Sequence, residues 1–317
     1  MKKALDKNLF KFIAKAKVDF KAINALENDA SRRFYYRLLS NDKSILLMDA
    51  SLEKESLKNF INISRWLIEK NYSAPIIYSS NLAKGYCILE DFGEEKFSNL
   101  SFDKIKNKYN LTIELLVSLS KKRAPKFLKS YSRYVFFKEL NLFINWYLYY
   151  NKSRDNIAFE KWRKIWGSLF STTTKNNFNN IVLRDFHIDN LFWLKKRESV
   201  RKIGLIDFQD ALIGHPCYDL VSLLQDVRIN IQYKEQLRLY NYYMSISNLE
   251  KTSFEKDYYI YGTQRLIKII GIFYKLKYLH KKENYMKYIP RTWHLLKHNL
   301  NHPGLIDLSI WFKKYVF

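Results

Sequence analysis

Cysteine and glycine are scarce: the 317 residues include two cysteines and eight glycines, and no glycine precedes Gly85. Cys87 and Cys217 cannot build a disulfide framework, which excludes a small disulfide-stapled secreted fold and favours a reducing cytoplasm. No apolar run reaches the length of a membrane span, and lysines interrupt the first residues where a signal peptide would need an unbroken apolar region. We therefore expect a cytoplasmic protein without a membrane span.

Apolar and basic residues are plentiful. Hydrophobic residues make up 47% of the chain and aromatic residues 17%, which indicates a globular protein. The formal net charge of +24 raises the possibility of a nucleic-acid or anionic-surface partner. However, lysines account for 40 of the 55 basic residues and are spread along the whole chain. Because no arginine-rich stripe or aromatic RNA-binding motif accompanies them, we do not expect nucleic acid to be the main partner.

The first ninety residues show strand patterns around one helix. The runs RRFYYRLLS and KSILLMDAS, joined by Asn41 and Asp42, predict a hairpin. Ser51 is placed to cap a following helix, and the residues from Asn71 to Pro75 should end it. Two further strands, IIYSS and YCILE, flank a turn. The apolar stripe that predicts the helix consists of Leu57, Phe60, Ile61, Ser64, Leu67 and Ile68.

Helical patterns dominate the rest of the chain. From Tyr134 to Tyr150 the predicted apolar face consists of Phe137, Leu140, Phe143, Ile144, Tyr147 and Leu148. The later strand signal is a pair at 191–194 and 203–206. We expect an α+β protein with two lobes: residues 1–91 form a small β-rich lobe, and residues 92–317 form a larger, mainly helical lobe.

Two segments carry the residues expected to do chemistry. VLRDFHIDNLFWL, residues 182–194, contains Asp185 and Asn190, and KIGLIDFQD places Asp207 at the end of an apolar strand. Phosphoryl transfer needs such a set: one carboxylate orients the attacking hydroxyl, and hard oxygen ligands hold Mg²⁺ against the phosphates. The competing interpretation is that Asp185, Asp189 and Asn190 only form turns and that Asp207 caps a helix.

The same segments resemble a known family. LRDFHIDN is similar to the pattern H-x-D-x-x-x-x-N of the aminoglycoside phosphotransferase and choline kinase-like superfamily, except at its first position. LIDFQDALIGHPCYDLVSLLQD resembles one branch more closely, the N-acetylmuramate/N-acetylglucosamine anomeric kinases of bacterial cell-wall recycling. Further similar stretches are DASRRFYYR, LLMDA, CILEDFG, TQRLIKIIGIF and YIPRTWHLL, so the resemblance spans nearly the whole chain.

The resemblance implies a protein-kinase-like fold and an ATP- and Mg²⁺-dependent sugar kinase. Asp185 would be the catalytic base, and Asn190 and Asp207 would be the metal ligands. Asp219 would hold the catalytic segment from a helix start. A monomer is expected, with an amino sugar as its small-molecule partner. Backbone groups of Leu89, Glu90, Asp91 and Phe92 would receive adenine.

This chain departs from the family pattern in three places. Leu183 stands where the motif has His. No glycine-rich loop is present to hold phosphates, so the turn at residues 29–33 would have to do so. Met48 and Asp49 stand on the strand where relatives carry a phosphate-binding lysine. Arg33 or Arg37 is therefore our candidate for the missing positive charge, because a guanidinium matches phosphate oxygens.

Several other residues have a functional and a structural interpretation. His187 either touches the substrate or packs the loop, while an aligned set formed by His294, His298 and His302 is either a metal site or, as we favour, a solvated stripe. Kinases of choline-like amino alcohols or of aminoglycosides, and an inactive kinase-like module that binds an anionic partner, stay open as alternatives. Candidates for the sugar pocket, each of which has a core or surface alternative, are Trp146, Gln264 and Arg265.

Overall fold

The computed structural model describes residues 7–26, 32–41, 43–151, 155–173 and 178–317. The chain divides into two compact units. The first unit comprises Met1–Leu115 and His187–Ala211, and the second comprises Leu116–Phe186 and Leu212–Phe317. The predicted boundary between the lobes at residue 91 stays a prediction, because these units are defined by compactness alone.

An antiparallel five-stranded sheet dominates the first unit. The strand order is β1-β2-β3-β5-β4. The predicted hairpin of β2 and β3 is confirmed, with Phe34 paired to Asp49 and Leu39 to Ser44; Asp42 in its turn lies outside the described residues. The first strand was not predicted, because its four residues carry no clear alternation. The strands are β1 (Ala22–Ala25), β2 (Phe34–Leu39), β3 (Ser44–Asp49), β4 (Ile77–Asn81) and β5 (Tyr86–Glu90).

Two helices contribute apolar stripes to the core of this unit. Helix α1 (Lys7–Lys15) buries Leu9, Phe12 and Ile13, which pack in one cluster with sheet residues such as Leu47 and Ile88. Helix α2 (Lys54–Glu69) carries the predicted stripe. Of its six residues, Leu57, Phe60, Ile61, Ser64 and Leu67 are buried, whereas Ile68 is 38% exposed.

The predicted cap of α2 is wrong. The helix begins at Lys54, and the backbone N–H of Ser51 donates to Asp49 Oδ1 at 3.0 Å. Its neighbour Ala50 donates its N–H to Gly85 O at 2.7 Å, so the chain is held at the sheet before the helix can start. Gly85 has φ +80°, and a Cβ there would lie 2.7 Å from Ser51 Cα. This turn therefore requires glycine.

The first unit also contains the returning segment 187–211. Strands β7 (Leu191–Trp193) and β8 (Ile203–Leu205) form the predicted second hairpin, each slightly shorter than expected. Strand β8 is tied to the unit through the N–H of Leu205, which donates to Ser73 O at 2.8 Å. Beyond β8, Phe208 stacks on Phe60 of α2, with ring centroids 4.9 Å apart. The segment that contains Asp207 is thus fixed on both sides.

The second unit is mainly helical and, with the β-rich first unit, confirms the predicted α+β class. Helix α3 (Phe102–Ser120) begins in the first unit and ends in the second. A short pair of strands, β6 (Asn180–Val182) and β9 (Leu212–Gly214), was not predicted. The other helices are α4 (Arg133–Leu142), α5 (Tyr149–Asn151), α6 (Asn156–Thr173), α7 (Cys217–Leu224), α8 (Tyr233–Ile246), α9 (Lys251–His280), α10 (Ile289–Asn299) and α11 (Ile306–Tyr315).

The helix predicted from Tyr134 to Tyr150 is interrupted by a π-helical stretch. It covers Phe143–Leu148, between α4 and α5. The α4 face that is buried contains Phe136, Glu139 and Leu140, so the predicted Phe137 is only half-buried. The predicted stripe assumed a constant period of 3.6 residues, which a π-helical stretch breaks.

No helix within the described ranges combines the length and the hydrophobicity that crossing a bilayer requires. Both cysteines are buried thiols. Burial raises the pKa of Cys87 to about 12, and it also raises that of Cys217. Neither thiol is therefore activated as a nucleophile.

Gly271 provides a test of the packing between α9 and the π-helical stretch. A Cβ at this position would lie 2.3 Å from the carbonyl carbon of Leu142 and 2.4 Å from the N of Phe143. Since backbone cannot yield as a side chain can, Gly271→Ala should lower the free energy of unfolding by about 2 kcal/mol in urea titrations.

Gly167→Ala is the matched control. Its Cβ would meet only the mobile end of the Arg133 side chain, at 3.0 Å. This substitution within α6 should be neutral or stabilising by up to about 1 kcal/mol. Equal effects of the two substitutions would contradict the packing described here.

Candidate functional site

In the second unit, a buried carboxylate anchors the segment that carries Asp185. Asp219, on α7, is 3% exposed. Its Oδ2 accepts the N–H of Leu183 at 2.7 Å, and its Oδ1 accepts the N–H of Arg184 at 2.8 Å. The prediction that Asp219 holds the segment before Asp185 from the start of a helix is confirmed. The anchor uses the backbone of Leu183, whose side chain is buried, so it does not require the histidine of the family motif.

Arg184 adopts a strained backbone conformation next to Asp185. Its φ is +70°, in the left-handed region that non-glycine residues rarely adopt. The hydroxyl of Ser222 donates to Arg184 O at 3.3 Å, and the N–H of Asp185 donates to Leu183 O at 2.9 Å. Strain of this kind persists only where the surroundings fix it, and it is common at active sites. The half-buried carboxylate of Asp185 follows directly from this turn.

The two candidate metal ligands belong to the first unit. Asn190 is 8% exposed and ends the helical turn Ile188–Asn190, with its side-chain Nδ2 3.4 Å from His187 Nε2. Its carbonyl accepts the N–H of Ile206 at 3.2 Å, which joins it to the segment that continues into Asp207. Asp207 has φ +59°. His187, predicted as a substrate residue, is buried in the same turn region.

Asn190 and Asp207 suit Mg²⁺ in kind. They supply an amide and a carboxylate, both hard donors, and Mg²⁺ usually takes only one or two protein carboxylates beside phosphates and water. Asp207 Oδ1 accepts Arg33 Nη2 at 2.6 Å and Gln209 Nε2 at 3.0 Å, whereas Oδ2 makes no hydrogen bond to the described residues. Within those residues, no group of three or more His, Cys, Asp or Glu side chains could hold a metal alone. The donor set therefore fits a metal that arrives with phosphate.

Arg33 is the predicted phosphate residue that the structure brings to Asp207. It is 4% exposed, donates through Nη1 to Gln209 Oε1 at 2.8 Å, and lies 3.7 Å from Glu53 Oε2 just before α2. The guanidinium of Arg33, the residue just before β2, thus contacts both the residue that precedes α2 and the candidate metal carboxylate. The residues that precede it in the predicted phosphate turn, 29–31, lie outside the described residues.

Arg37 has a different position from Arg33. Its Nε donates to Asp91 Oδ2 at 2.6 Å, and its Nη1 donates to Glu94 Oε1 at 2.9 Å. Asp91 Oδ1 in turn accepts the N–H of Gly93 at 2.9 Å. Arg37 therefore braces the segment after β5, and its predicted contact with the nucleotide stays a prediction.

The other predicted adenine residues surround the same segment. Leu89 is buried in the sheet. The N–H of Glu90 donates to Ile76 O at 2.8 Å, and its carboxylate pairs with Arg197. The guanidinium carbon of Arg197 also lies 5.3 Å from the centre of the Phe92 ring. Because the N–H of Glu90 is already used, we expect N–H contacts with adenine from Asp91 or Phe92.

Of the predicted substrate residues, His187 belongs to the first unit and the other three belong to the second. Trp146 is half-buried in the π-helical stretch and stacks on Tyr150, with ring centroids 6.0 Å apart. Gln264 is fully buried on α9 and donates through Nε2 to Glu139 Oε2 at 2.9 Å. Arg265 is 4% exposed, and its buried Nη1 has no hydrogen-bond partner among the described residues. None of these contacts tests a role in sugar binding.

Sequence reasoning missed Glu139. This residue is 5% exposed and accepts hydrogen bonds from Tyr131, Gln264, Arg184 and Lys268. The signal was its spacing: Glu139 lies three residues after Phe136 and four before Phe143, on the apolar face of α4. A carboxylate at such a position needs buried partners.

The three histidines near the end of the chain do not form one helical stripe. Helix α10 ends at Asn299, before His302, whose Nδ1 accepts the N–H of Gly304 at 3.1 Å. His298 packs on Tyr233, with ring centroids 4.6 Å apart, and His302 packs on Tyr259. The favoured solvated stripe is therefore wrong for His298 and His302, which pack on aromatic rings, whereas His294 is exposed.

Comparison with known proteins gives a consistent result. A family model described as the phosphotransferase enzyme family (APH) matches residues 22–247. The N-acetylmuramate/N-acetylglucosamine kinase of Caulobacter vibrioides is 28% identical, over 92% of this chain and 91% of that protein. A protein of the same name from Neisseria meningitidis serogroup B is 28% identical, over 88% of this chain and 85% of its own length.

Solved structures agree on the fold. The choline kinase LicA from Streptococcus pneumoniae superposes with a TM-score of 0.66 at 14% identity, over 93% of this chain and 99% of that one. The ADP-bound aminoglycoside phosphotransferase APH(2'')-Ib superposes with a TM-score of 0.63 at 15% identity, covering 92% and 97%. The expected two-lobed, kinase-like α+β fold is therefore confirmed.

Burial of Asp219 predicts a pH-dependent stability. Burial raises its pKa to about 7, although the N–H groups of Leu183 and Arg184 oppose the shift. The folded protein then binds a proton that the unfolded chain releases near pH 4. The contribution of Asp219 to stability is therefore lost as the pH rises from about 4 to about 7, by roughly 1.4 kcal/mol for each unit between the two pKa values.

The measurement is urea unfolding of the wild type and of Asp219→Asn at pH 5 and at pH 8. The stability advantage of the wild type over this variant should shrink at pH 8. The control is Asp307→Asn, at an exposed position in the first turn of α11, which should leave the pH dependence unchanged. An advantage that grows with pH would contradict a raised pKa for Asp219.

Proposed function

The chain belongs to the phosphotransferase enzyme family and is a small-molecule kinase, and on that premise we propose that it transfers the γ-phosphate of ATP to the anomeric hydroxyl of N-acetylmuramate or N-acetylglucosamine. The observation that carries the proposal is the order of three side chains along the chain. Asp185, whose segment is held by Asp219, is followed five residues later by Asn190, and Asp207 follows the hairpin of β7 and β8. The choice of sugar rests on the relatives of 25–28% identity, whose names give this acceptor.

Asp185 orients the acceptor in this proposal. A carboxylate that accepts a hydrogen bond from the hydroxyl directs its oxygen towards the γ-phosphorus. It takes the proton as the new O–P bond forms and the bond to the ADP oxygen breaks, so that ADP leaves. Most of the rate acceleration in phosphoryl transfer comes from positioning, so a rigid base is useful. Asp219, Ser222 and the strained turn at Arg184 provide this rigidity.

Asn190 and Asp207 would hold Mg²⁺, which supplies neutralisation of the negative charge on the phosphates when bound. Arg33 compensates for the absence of a phosphate-binding lysine on β3. Its guanidinium is already held against Asp207 by Gln209 and Glu53, and it matches two phosphate oxygens at once. Arg33 would therefore exchange part of its contact with Asp207 for the triphosphate.

The acceptor would be recognised by the aromatic and the polar residues that the sequence predicts for the sugar pocket. Trp146 offers a partly exposed aromatic face for a sugar ring. Arg265 carries a buried guanidinium nitrogen without a partner among the described residues, and a lactyl carboxylate is a group that would satisfy it. Gln264 and His187 complete the set as hydrogen-bonding groups. We further propose that the protein acts in the cytoplasm as a monomer.

Asp185→Asn tests the base. This substitution keeps the size of the side chain but removes the proton acceptor, so kcat should fall by about 10²–10⁴-fold while the Kd for ATP with Mg²⁺, measured calorimetrically, stays close to the wild-type value. Asp189→Asn makes the same chemical change in the same loop and should leave kcat near that of the wild type. Undiminished phosphorylation by Asp185→Asn would remove Asp185 from this role.

An acceptor panel tests the substrate. The wild type is incubated with ATP, Mg²⁺ and N-acetylmuramate, N-acetylglucosamine, choline or kanamycin, and products are identified by phosphorus NMR. We expect an anomeric phosphate from the two amino sugars. Phosphate on another hydroxyl, or transfer only to choline or kanamycin, would refute the acceptor proposed here.

The panel also separates an active enzyme from an inactive kinase-like module. Bound ATP with Mg²⁺ should raise the melting temperature, because a ligand stabilises the state to which it binds. If neither a thermal shift nor any transfer occurs at millimolar ATP, the kinase proposal fails. Salt-sensitive binding of RNA or anionic vesicles in the same preparation would then favour the module.

A further inference from the structure

Glu139 is a buried carboxylate that the proposed chemistry does not use. It lies on α4 within the second unit and is 5% exposed. The ammonium of Lys268 donates to its Oε1 at 2.9 Å and the guanidinium of Arg184 donates to the same oxygen, while Gln264 and Tyr131 donate to Oε2. Four donors, two of them cations, converge on one side chain.

The charge of Glu139 is secure. Burial by itself raises the pKa of this carboxyl group, but the charges of Lys268 and Arg184 lower it to about 2. Lys268 is 8% exposed and also contacts the neutral hydroxyl of Tyr218, at 3.3 Å. Glu139 is therefore the anion that pairs with a buried lysine and a half-buried arginine.

Both cations also interact with Asp185. Arg184 is its neighbour in the chain. Burial lowers the pKa of Arg184 and of Lys268, the charge of Glu139 outweighs that effect in both, and Asp185 adds a smaller contribution in the same direction as Glu139. The other nearby carboxylate, that of Asp219, already accepts two backbone N–H groups. A loss of the charge on Glu139 would leave Asp185 as the carboxylate with which the two cations can pair.

We propose that Glu139 is a positioning residue that competes with Asp185 for Arg184 and Lys268, so that the carboxylate of Asp185 serves the acceptor hydroxyl. The inference rests on the proposed function in one respect, the role of Asp185. The strained φ of Arg184 supports it: the left-handed turn lets the chain present Asp185 while the side chain of Arg184 reaches back to Glu139. Removing one member of a buried ion pair is costly, because the remaining charge must find a new partner.

Glu139→Gln is the first test, because it removes the charge while keeping the size of the side chain. We expect kcat for sugar phosphorylation to fall by at least about tenfold, with the KM for ATP nearly unchanged. Glu139→Asp retains the charge and should have a kcat closer to that of the wild type. Glu160→Gln, at an exposed position on α6, is the matched control and should behave as the wild type. A wild-type kcat in Glu139→Gln would overturn the proposal.

A second substitution separates competition from a merely structural role. If Lys268 captures Asp185 in Glu139→Gln, then the double variant Glu139→Gln/Lys268→Met should regain about fivefold or more in kcat over the single variant. If Glu139 only stabilises the fold, the double variant should be no more active than Glu139→Gln, and that result would overturn the proposal. Urea unfolding of each variant measures the loss of stability separately.

A crystal structure of Glu139→Gln tests, without an activity assay, whether Asp185 takes over the cations that Glu139 binds. We expect Lys268 Nζ or the Arg184 guanidinium within hydrogen-bonding distance of the Asp185 carboxylate. If both cations stay on residue 139, the proposal is wrong. Should the wild type phosphorylate no acceptor, the proposed function fails, and this crystallographic result still tests the competition. If Glu139→Gln does not fold, Glu139→Asp and the double variant supply the kinetic and crystallographic comparison.

Discussion

The contact between the carboxylate of Asp219 and the backbone N–H groups of Leu183 and Arg184 is the interaction that holds the segment carrying Asp185. It fixes the end of β6 to α7 and determines where the chain turns. The left-handed residue Arg184, the placement of Asp185 and the return of the chain to the first unit at His187 all follow from that turn. Because backbone groups make the contact, side chains in the segment can vary without loss of the anchor.

This arrangement explains how the loop is held although Leu183 stands where the family motif has histidine. A histidine at position 183 would be one way to organise the loop, but a buried leucine provides apolar packing while its N–H keeps the bond to Asp219. For the missing lysine we have proposed Arg33 as a substitute. Arg33 contacts Asp207 from the position just before β2, so its positive charge would come from beside a neighbouring strand in place of β3.

The sequence predicts correctly those elements whose formation depends on neighbouring residues. The hairpins β2–β3 and β7–β8 and the buried stripe of α2 follow from alternation, from helical spacing and from turn residues. Three features depend on distant partners and were missed. The strands β6 and β9 have three residues each, too few for a pattern. The π-helical stretch begins where Gly271 of α9 packs closely against the backbone, and the burial of Glu139 depends on Arg184 and Lys268, 45 and 129 positions away.

The ion pair between Arg33 and Asp207 has a thermodynamic consequence. The candidate metal carboxylate of Asp207 forms an ion pair with Arg33. A divalent cation that bound there alone would have to compete with that guanidinium, whereas one that bound with a triphosphate would bring a replacement anion for Arg33. Binding of metal and of nucleotide would then be positively coupled, and by reciprocity each ligand would increase the affinity for the other by the same factor. A single buried arginine would thus link the affinity for the metal to the affinity for the nucleotide.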